Sequence, residues 1–516
     1  MQVRGRLILA VAALLIAPPA AAAASGLGAP PALALALAVA VGGLGLRWAG
    51  RAPNATLEMS RAGFAGWLLL AALALAQDGR VSWFMADGTR LTNAAVPNPF
   101  IIVHQCLSGY TEAVRRALEG RENIYDEANN KMPDGGPRYI VRRDGATESY
   151  NESRLKALFA GGQIPRVEVV HVDEYEYPPP FLLLPYTVGA PVGQDYFRIR
   201  PLWFGLQALL LWVAFLISVR SAGPEASTRA FAWLPAVWFM PPTLVGLQYG
   251  NFQTGAIALS VIAMAALASR RNVAAGTLLG FATLGKVFPG VLVVALVARR
   301  RWHAVLMTVL AAVTFTALTL VVFGRKPFDD FLFYQLPAIA NGSAFGFNNR
   351  PEWIPTNYGV YALVAKLRLL GVAGMTQDTG NVVASVYGIL LLVLVVVLLV
   401  RAPENSGESI VESPLVWLAL LNLAAVRSPY VGDGYGQVGT LWLLVLTASR
   451  QRRTRAQLWV LSLALVLWGV TLEGFASARP PAWMIVFSIV TQLGLIAFNV
   501  AVLHSAARAS AVDGKR

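Results

Sequence analysis

Charge is scarce in this sequence. Asp, Glu, Lys and Arg make up 14% of 516 residues, while hydrophobic types make up 56%. Mean hydropathy is +0.55. A soluble chain of this length needs more polar surface, so an ordinary series of soluble domains is excluded. Cysteine is almost missing. Cys106 stands alone, which rules out an intrachain disulfide and a metal centre built from cysteines. The polar loops contain no Asp-x-Asp, and Asp329-Asp330 is a weak substitute, so no metal site and no cofactor is expected. Acid is also short of base: 42 Lys and Arg against 28 Asp and Glu leave a net charge of +14. The excess lies in short clusters between apolar runs. That is the pattern of loops facing anionic lipid, and it excludes nucleic acid as the partner.

What the chain does have is a near-continuous series of apolar runs. A span needs roughly 17–25 such residues. The runs predict spans at 7–23, 31–47, 62–77, 201–219, 230–247, 252–269, 303–323, 381–400, 413–428, 436–449, 457–475 and 481–504. The first resembles a signal peptide, but the second follows so closely that an uncleaved hairpin is the preferred reading. Basic clusters set the orientation. They fall at Arg4 and Arg6; at Arg47, Arg51 and Arg61; at Arg220 and Arg229; and at Arg270 and Arg271. Further clusters follow at Arg299 to Arg301, and at Arg450, Arg452, Arg453 and Arg455. All are cytoplasmic in one threading, which puts 78–200 and 324–380 outside. Three regions result: an N-terminal membrane hairpin and loop (1–61), a transmembrane domain (62–504) and a cytoplasmic tail (505–516).

The stretch between Arg271 and Arg299 tests that threading, since one span would place its two basic ends on opposite sides. Its middle reads Gly285-Lys286-Val287-Phe288-Pro289-Gly290, which breaks a helix. Two half-length helices with an outward turn satisfy both facts, and such breaks are tolerated where they line a polar cavity. The expected fold is an all-α polytopic bundle with a large outer loop and a broken-helix hairpin.

The outer loop carries its own signals. Ser108 to Glu119 reads as an amphipathic helix stopped by Gly120. Residues 121–170 read as loop, and Val167 to Val172 as a short strand. Next come Asp173-Glu174-Tyr175-Glu176-Tyr177-Pro178-Pro179-Pro180. Farther on, Phe345 to Arg350 forms an aromatic and amide run, and Tyr358 to Val372 has the spacing of a helix on the membrane surface. Two more outer turns are Gln248 to Gln253 and Arg427 to Tyr435. Polar groups thus gather at one face from four places in the chain, which marks a functional face.

These residues resemble the polyprenol-phosphate-sugar-dependent glycosyltransferases of the GT-C fold, most closely glycosyltransferase family 87. Tyr110-x-x-Ala113 through Gly120 to Tyr125-Asp126 is similar to that family's outer amphipathic helix. Tyr177-Pro178-Pro179 looks like its Tyr-Pro-Pro segment. Gly250-Asn251-Phe252-Gln253 resembles its Gly-Gln-x-Asn turn with the amides exchanged, and Gly285-Lys286-x-x-Pro289 its Lys-x-x-Pro turn. Asn357 and Ser428-Pro429 also fit. One position departs: where the family carries an aspartate as general base, this chain has Cys106.

The resemblance implies transfer of a sugar from a polyprenyl-phosphate donor to a lipid or glycan acceptor. The site would face outward from a bacterial inner membrane, with membrane lipids as the further partner. The phosphate leaving group needs cations or amide donors. Lys286, Arg427, Asn251, Gln253 and Tyr177 are the residues expected there. The acceptor hydroxyl needs a base within reach. His104, beside the departed aspartate position, and Glu176, before Tyr177, are the two expected catalytic residues. A ligase or polymerase of lipid-linked glycans, or a transporter, is the alternative. A transporter would require internal repeats and charges deep in its spans, and neither is visible.

Overall fold

The computed structural model describes residues 2–50, 56–96, 98–120, 122–160, 167–220, 223–341, 343–345, 350–401, 412–450, 455–475 and 478–513. Gly346 to Asn349 of the aromatic and amide run, and Arg51, Arg452 and Arg453, lie outside them. The chain divides into two compact units. One comprises Met1–Trp212, Phe231–Asn251 and Thr316–Leu336; the other comprises Val213–Ala230, Phe252–Phe315 and Pro337–Arg516.

Helices dominate both units. Among the described residues, six are long and apolar enough to cross a membrane: Gly5–Gly26, Arg61–Ala86, Tyr196–Arg220, Trp302–Phe323, Gln377–Val400 and Ala482–Arg508. Their outward faces stay greasy. Val321 is 83% exposed and Val460, on the shorter apolar helix Arg455–Gly469, 66%. Only hydrocarbon makes such surfaces inexpensive, so the protein is a multi-pass membrane protein. Several of the other apolar runs take shorter or bent forms. The run at 230–247 is not one straight rod: Pro224–Phe239 and Pro241–Tyr249 meet at 62°, because Pro241 removes a backbone donor at the bend. The runs at 252–269 and 413–428 form shorter helices, Phe252–Ala268 and Pro414–Ala425.

In the first unit, Gln2–Arg4 pairs antiparallel with Thr56–Glu58. Helices Gly5–Leu14 and Ala17–Gly26 pack on Pro31–Gly50 between those strands. The segment 78–200 then builds a small sheet in which Tyr139–Arg143 lies between Ala146–Tyr150 and Glu168–His171, all antiparallel. Residues 121–170 are therefore not all loop. Asp144 (φ 50°) and Gly145 (φ 83°) form the hairpin turn, as an Asp-Gly pair favours. An ion-pair knot ties this sheet to the spans. Glu168 receives Arg142 Nε at 2.6 Å and Arg200 Nη2 at 3.1 Å. Arg200 Nε donates to the Met85 carbonyl at 3.0 Å, the end of the Arg61–Ala86 span.

In the second unit the break expected at Lys286 is present. Asn272–Gly285 ends with Lys286 extended (φ −143°, ψ 127°), and Gly290–Ala298 follows. Gly276 and Gly280 let Trp302–Phe323 approach closely. A Cβ on Gly276 would stand 2.5 Å from Met307 Cβ, and one on Gly280 2.9 Å from the Thr308 carbonyl oxygen. The expected surface helix exists as Val360–Leu369, but it is packed on more than one side: Lys366 is fully buried.

Candidate functional site

In the first unit, the amphipathic helix Cys106–Glu119 runs into Gly120, whose φ of 68° ends it as expected. The segment 173–177 lies directly against it. Gly109 makes this possible, since a Cβ there would sit 2.8 Å from the carbonyl oxygens of Asp173 and Glu174. Ser108 Oγ donates to the His171 carbonyl at 2.8 Å and accepts the Asp173 N–H at 2.9 Å. Beyond this clamp, Tyr110 donates its hydroxyl to that of Tyr177 at 2.7 Å, and Tyr177 passes its own to Asn251 Oδ1 at 3.4 Å. Asn251 Nδ2 faces Cys106 Sγ at 3.4 Å. The turn that carries Asn251 is fixed from below. Trp203 Nε1 donates to the Gly250 carbonyl at 2.8 Å and Gln207 Nε2 to the Asn251 carbonyl at 3.3 Å. Tyr177 also stacks on Phe181 with centroids 4.5 Å apart and meets Tyr110 edge-on at 4.9 Å.

His104 stands at the start of this helix. Its ring stacks on Phe100 at 4.7 Å and meets Tyr249 edge-on at 4.8 Å. Its Nε2 lies 3.7 Å from Asp173 Oδ2 and 3.9 Å from Cys106 Sγ. His171 pairs with His104 as an isolated parallel bridge. Burial pushes the His171 imidazole down to about 4. Burial, and then the neighbouring Asp173 carboxylate, push Glu174 up to about 7. For Glu112 burial works upward, but Arg115 and Arg138 outweigh it and hold the carboxyl at about 2.

In the second unit, Gln253 is buried in the first turn of Phe252–Ala268. Lys286 is half-buried at the helix break. Arg427 is exposed, and its side chain lies over Gly388, where a Cβ would meet Nε at 3.1 Å. The loop that carries it is stitched to residues 356–360. Asn357 Oδ1 accepts the N–H groups of Gly359 (2.7 Å) and Val431 (3.0 Å), and its Nδ2 donates to the Pro429 carbonyl at 2.9 Å.

Residues 175–402 match the family model described as glycosyltransferase family 87. This chain is a membrane-embedded glycosyltransferase. A solved structure of ArnT from Cupriavidus metallidurans in the apo state is similar to it at 16% identity. The likeness covers 86% of this chain and 78% of ArnT, with a TM-score of 0.30. No curated protein matches the chain.

The glycosyltransferase brings His104, Tyr177 and Asn251 into one run of contacts through Cys106 and Tyr110, all in its first unit. Glu176, also in that unit, directly precedes Tyr177, with one carboxylate oxygen shielded from solvent. Gln253, Lys286 and Arg427 belong to its second unit. The Tyr177 hydroxyl is engaged by both Tyr110 and Asn251. Sequence reasoning missed His171 and Asp173 as companions of His104, because 67 positions separate 104 from 171 and only the sheet joins them. It also missed a buried polar cluster in the second unit. There Lys366 Nζ donates to Gln492 Oε1 at 2.8 Å, and Asp433 accepts the Thr471 hydroxyl at 2.9 Å. A lysine in an apolar helix gave no signal of its own.

Proposed function

We propose that this glycosyltransferase moves a sugar from a polyprenyl-phosphate donor to a lipid or glycan acceptor on the outer face of a bacterial inner membrane, within a GT-C-type bundle. The observation that carries this reading is the matched segment 175–402 itself. It begins at Tyr175, two residues before Tyr177, runs through Asn251 and Gln253, and includes the break at Lys286. The cations Lys286 and Arg427 meet the phosphate, where negative charge grows as the glycosidic C–O bond breaks. Asn251 and Gln253 orient the donor, and Tyr177 bounds it. Glu176 takes the proton of the acceptor hydroxyl while its oxygen bonds to the anomeric carbon. The electron pair of the broken bond leaves on the polyprenyl phosphate. His104 stands beside the acceptor.

The test uses purified protein in lipid nanodiscs with radiolabelled polyprenyl-phosphate sugars and extracted envelope lipids. Label should appear in an acceptor without any ion gradient. Label that moves only across a sealed bilayer, with no new glycoside, would sink the reading in favour of a transporter.

A further inference from the structure

Three ligating side chains meet on the outer part of the first unit. One ligand atom each from His104, His171 and Asp173 lies within 4.8 Å of the others. Their backbones are fixed independently of any ligand. His104 and His171 form a bridge, and Ser108 holds both the His171 carbonyl and the Asp173 N–H. The His104 ring is held by Phe100 and Tyr249. An ion pair between His104 and Asp173 explains two of the three. It leaves His171 unexplained, whose Nδ1 is buried and has no hydrogen-bond partner among the described residues. In the tautomer with its proton on Nε2, that Nδ1 carries a lone pair that a cation can take.

We infer that His104, His171 and Asp173 form a binding site for one divalent cation of the zinc class. Two imidazoles and one carboxylate are a borderline donor set, suited to zinc or cobalt and poorly suited to magnesium or calcium. Tetrahedral zinc at its usual bond lengths needs ligand atoms roughly 3.3 Å apart. The three side chains reach that by a small inward closure from their present spacing. A fourth position would remain for water or an acceptor hydroxyl, with Cys106 Sγ 3.9 Å from His104 Nε2 as the neighbour. Three protein ligands with an open position are the mark of a catalytic rather than a structural zinc site.

The site deepens the proposed function and, in its catalytic part, rests on it. Cys106 lies beside His104, its Sγ 3.9 Å from Nε2. A cation one side chain away would acidify a bound acceptor hydroxyl and make its proton easier for Glu176 to take. His104 would then act through the cation.

The experiment measures binding apart from turnover. The full chain in detergent is stripped with a chelator, desalted, and titrated with zinc by calorimetry, with metal content read by mass spectrometry. About one zinc per chain is expected. Asp173→Asn and His104→Gln should each weaken binding by at least about tenfold. His303→Ala, at the Asn272 contact in the second unit, should not. Cobalt in place of zinc should give visible bands of a four-coordinate centre, lost in Asp173→Asn. If His171→Ala fails to fold, those two variants still carry the test. Wild-type zinc affinity in both Asp173→Asn and His104→Gln would overturn the site. Zinc bound by a protein that transfers no sugar would leave the site standing and sink the transfer reading. Full transfer by the zinc-free protein would remove the cation from the chemistry.

Discussion

Tyr177 accepts a hydrogen bond from Tyr110 and gives one to Asn251, and its ring lies flat on Phe181. Removing only the hydroxyl separates its packing role from any chemical one. Tyr177→Phe leaves the Tyr110 hydroxyl and Asn251 Oδ1 each short of a buried partner, a loss of about 1–3 kcal/mol. Thermal unfolding in detergent should record that loss, while donor turnover changes by less than about fivefold if the ring alone bounds the donor. The cations behave in the opposite way. On the proposed reading, Lys286→Ala and Arg427→Ala each remove charge from the departing phosphate, about 2–4 kcal/mol of transition-state stabilisation. Turnover should fall about 30- to 1000-fold with the unfolding temperature almost unchanged. Lys286→Arg should recover only part of it, because a forked guanidinium differs in reach from an ammonium. Wild-type turnover in both alanine variants would place the phosphate elsewhere.

The helix Cys106–Glu119 shows which features of an element are legible in advance. Its amphipathic spacing and its stop at Gly120 are local properties, and both are present in the structure. The short strand Glu168–His171 was legible for the same reason. The hairpin around Asp144-Gly145 was not anticipated, although the dipeptide is a strong turn signal, because polar residues on both sides hide the alternation. What no local pattern carries is pairing. The sheet decides that His171 meets His104, and ion pairs decide how the helix is held. Glu112 exemplifies the second case, with Arg115 Nη2 at 2.8 Å, Arg116 Nε at 2.9 Å and Arg138 Nη2 at 2.7 Å. Its folded pKa is about 2 against an ordinary 4.5. A depressed carboxylate stabilises the folded state above its unfolded pKa, and that contribution disappears as pH falls from about 4.5 toward about 2. Amide exchange in residues 106–119 should therefore speed up across that window. Glu112→Gln should show the faster exchange already at pH 7, and exchange that ignores pH in the wild type would refute the assignment.

At the scale of the whole molecule, basic clusters and breaks together bear on the threading. Arg271 and Arg299 flank the stretch that Lys286 interrupts, and the structure has two helices there, Asn272–Gly285 and Gly290–Ala298. Neither is long enough to cross roughly 30 Å of hydrocarbon at 1.5 Å per residue. If both basic clusters stay with the cytoplasmic loops, the break must point outward. Single cysteines introduced at 271, 286, 299 and 427, in a Cys106→Ser background, test this in intact spheroplasts. An impermeant maleimide should label positions 286 and 427 from outside. Positions 271 and 299 should react only after the membrane is opened. Lys286 would then be able to serve a donor phosphate at the outer surface together with Arg427. Labelling of 286 only after opening would put the break on the cytoplasmic side. A phosphate site built from these two cations would then be impossible, whatever the activity of the alanine variants.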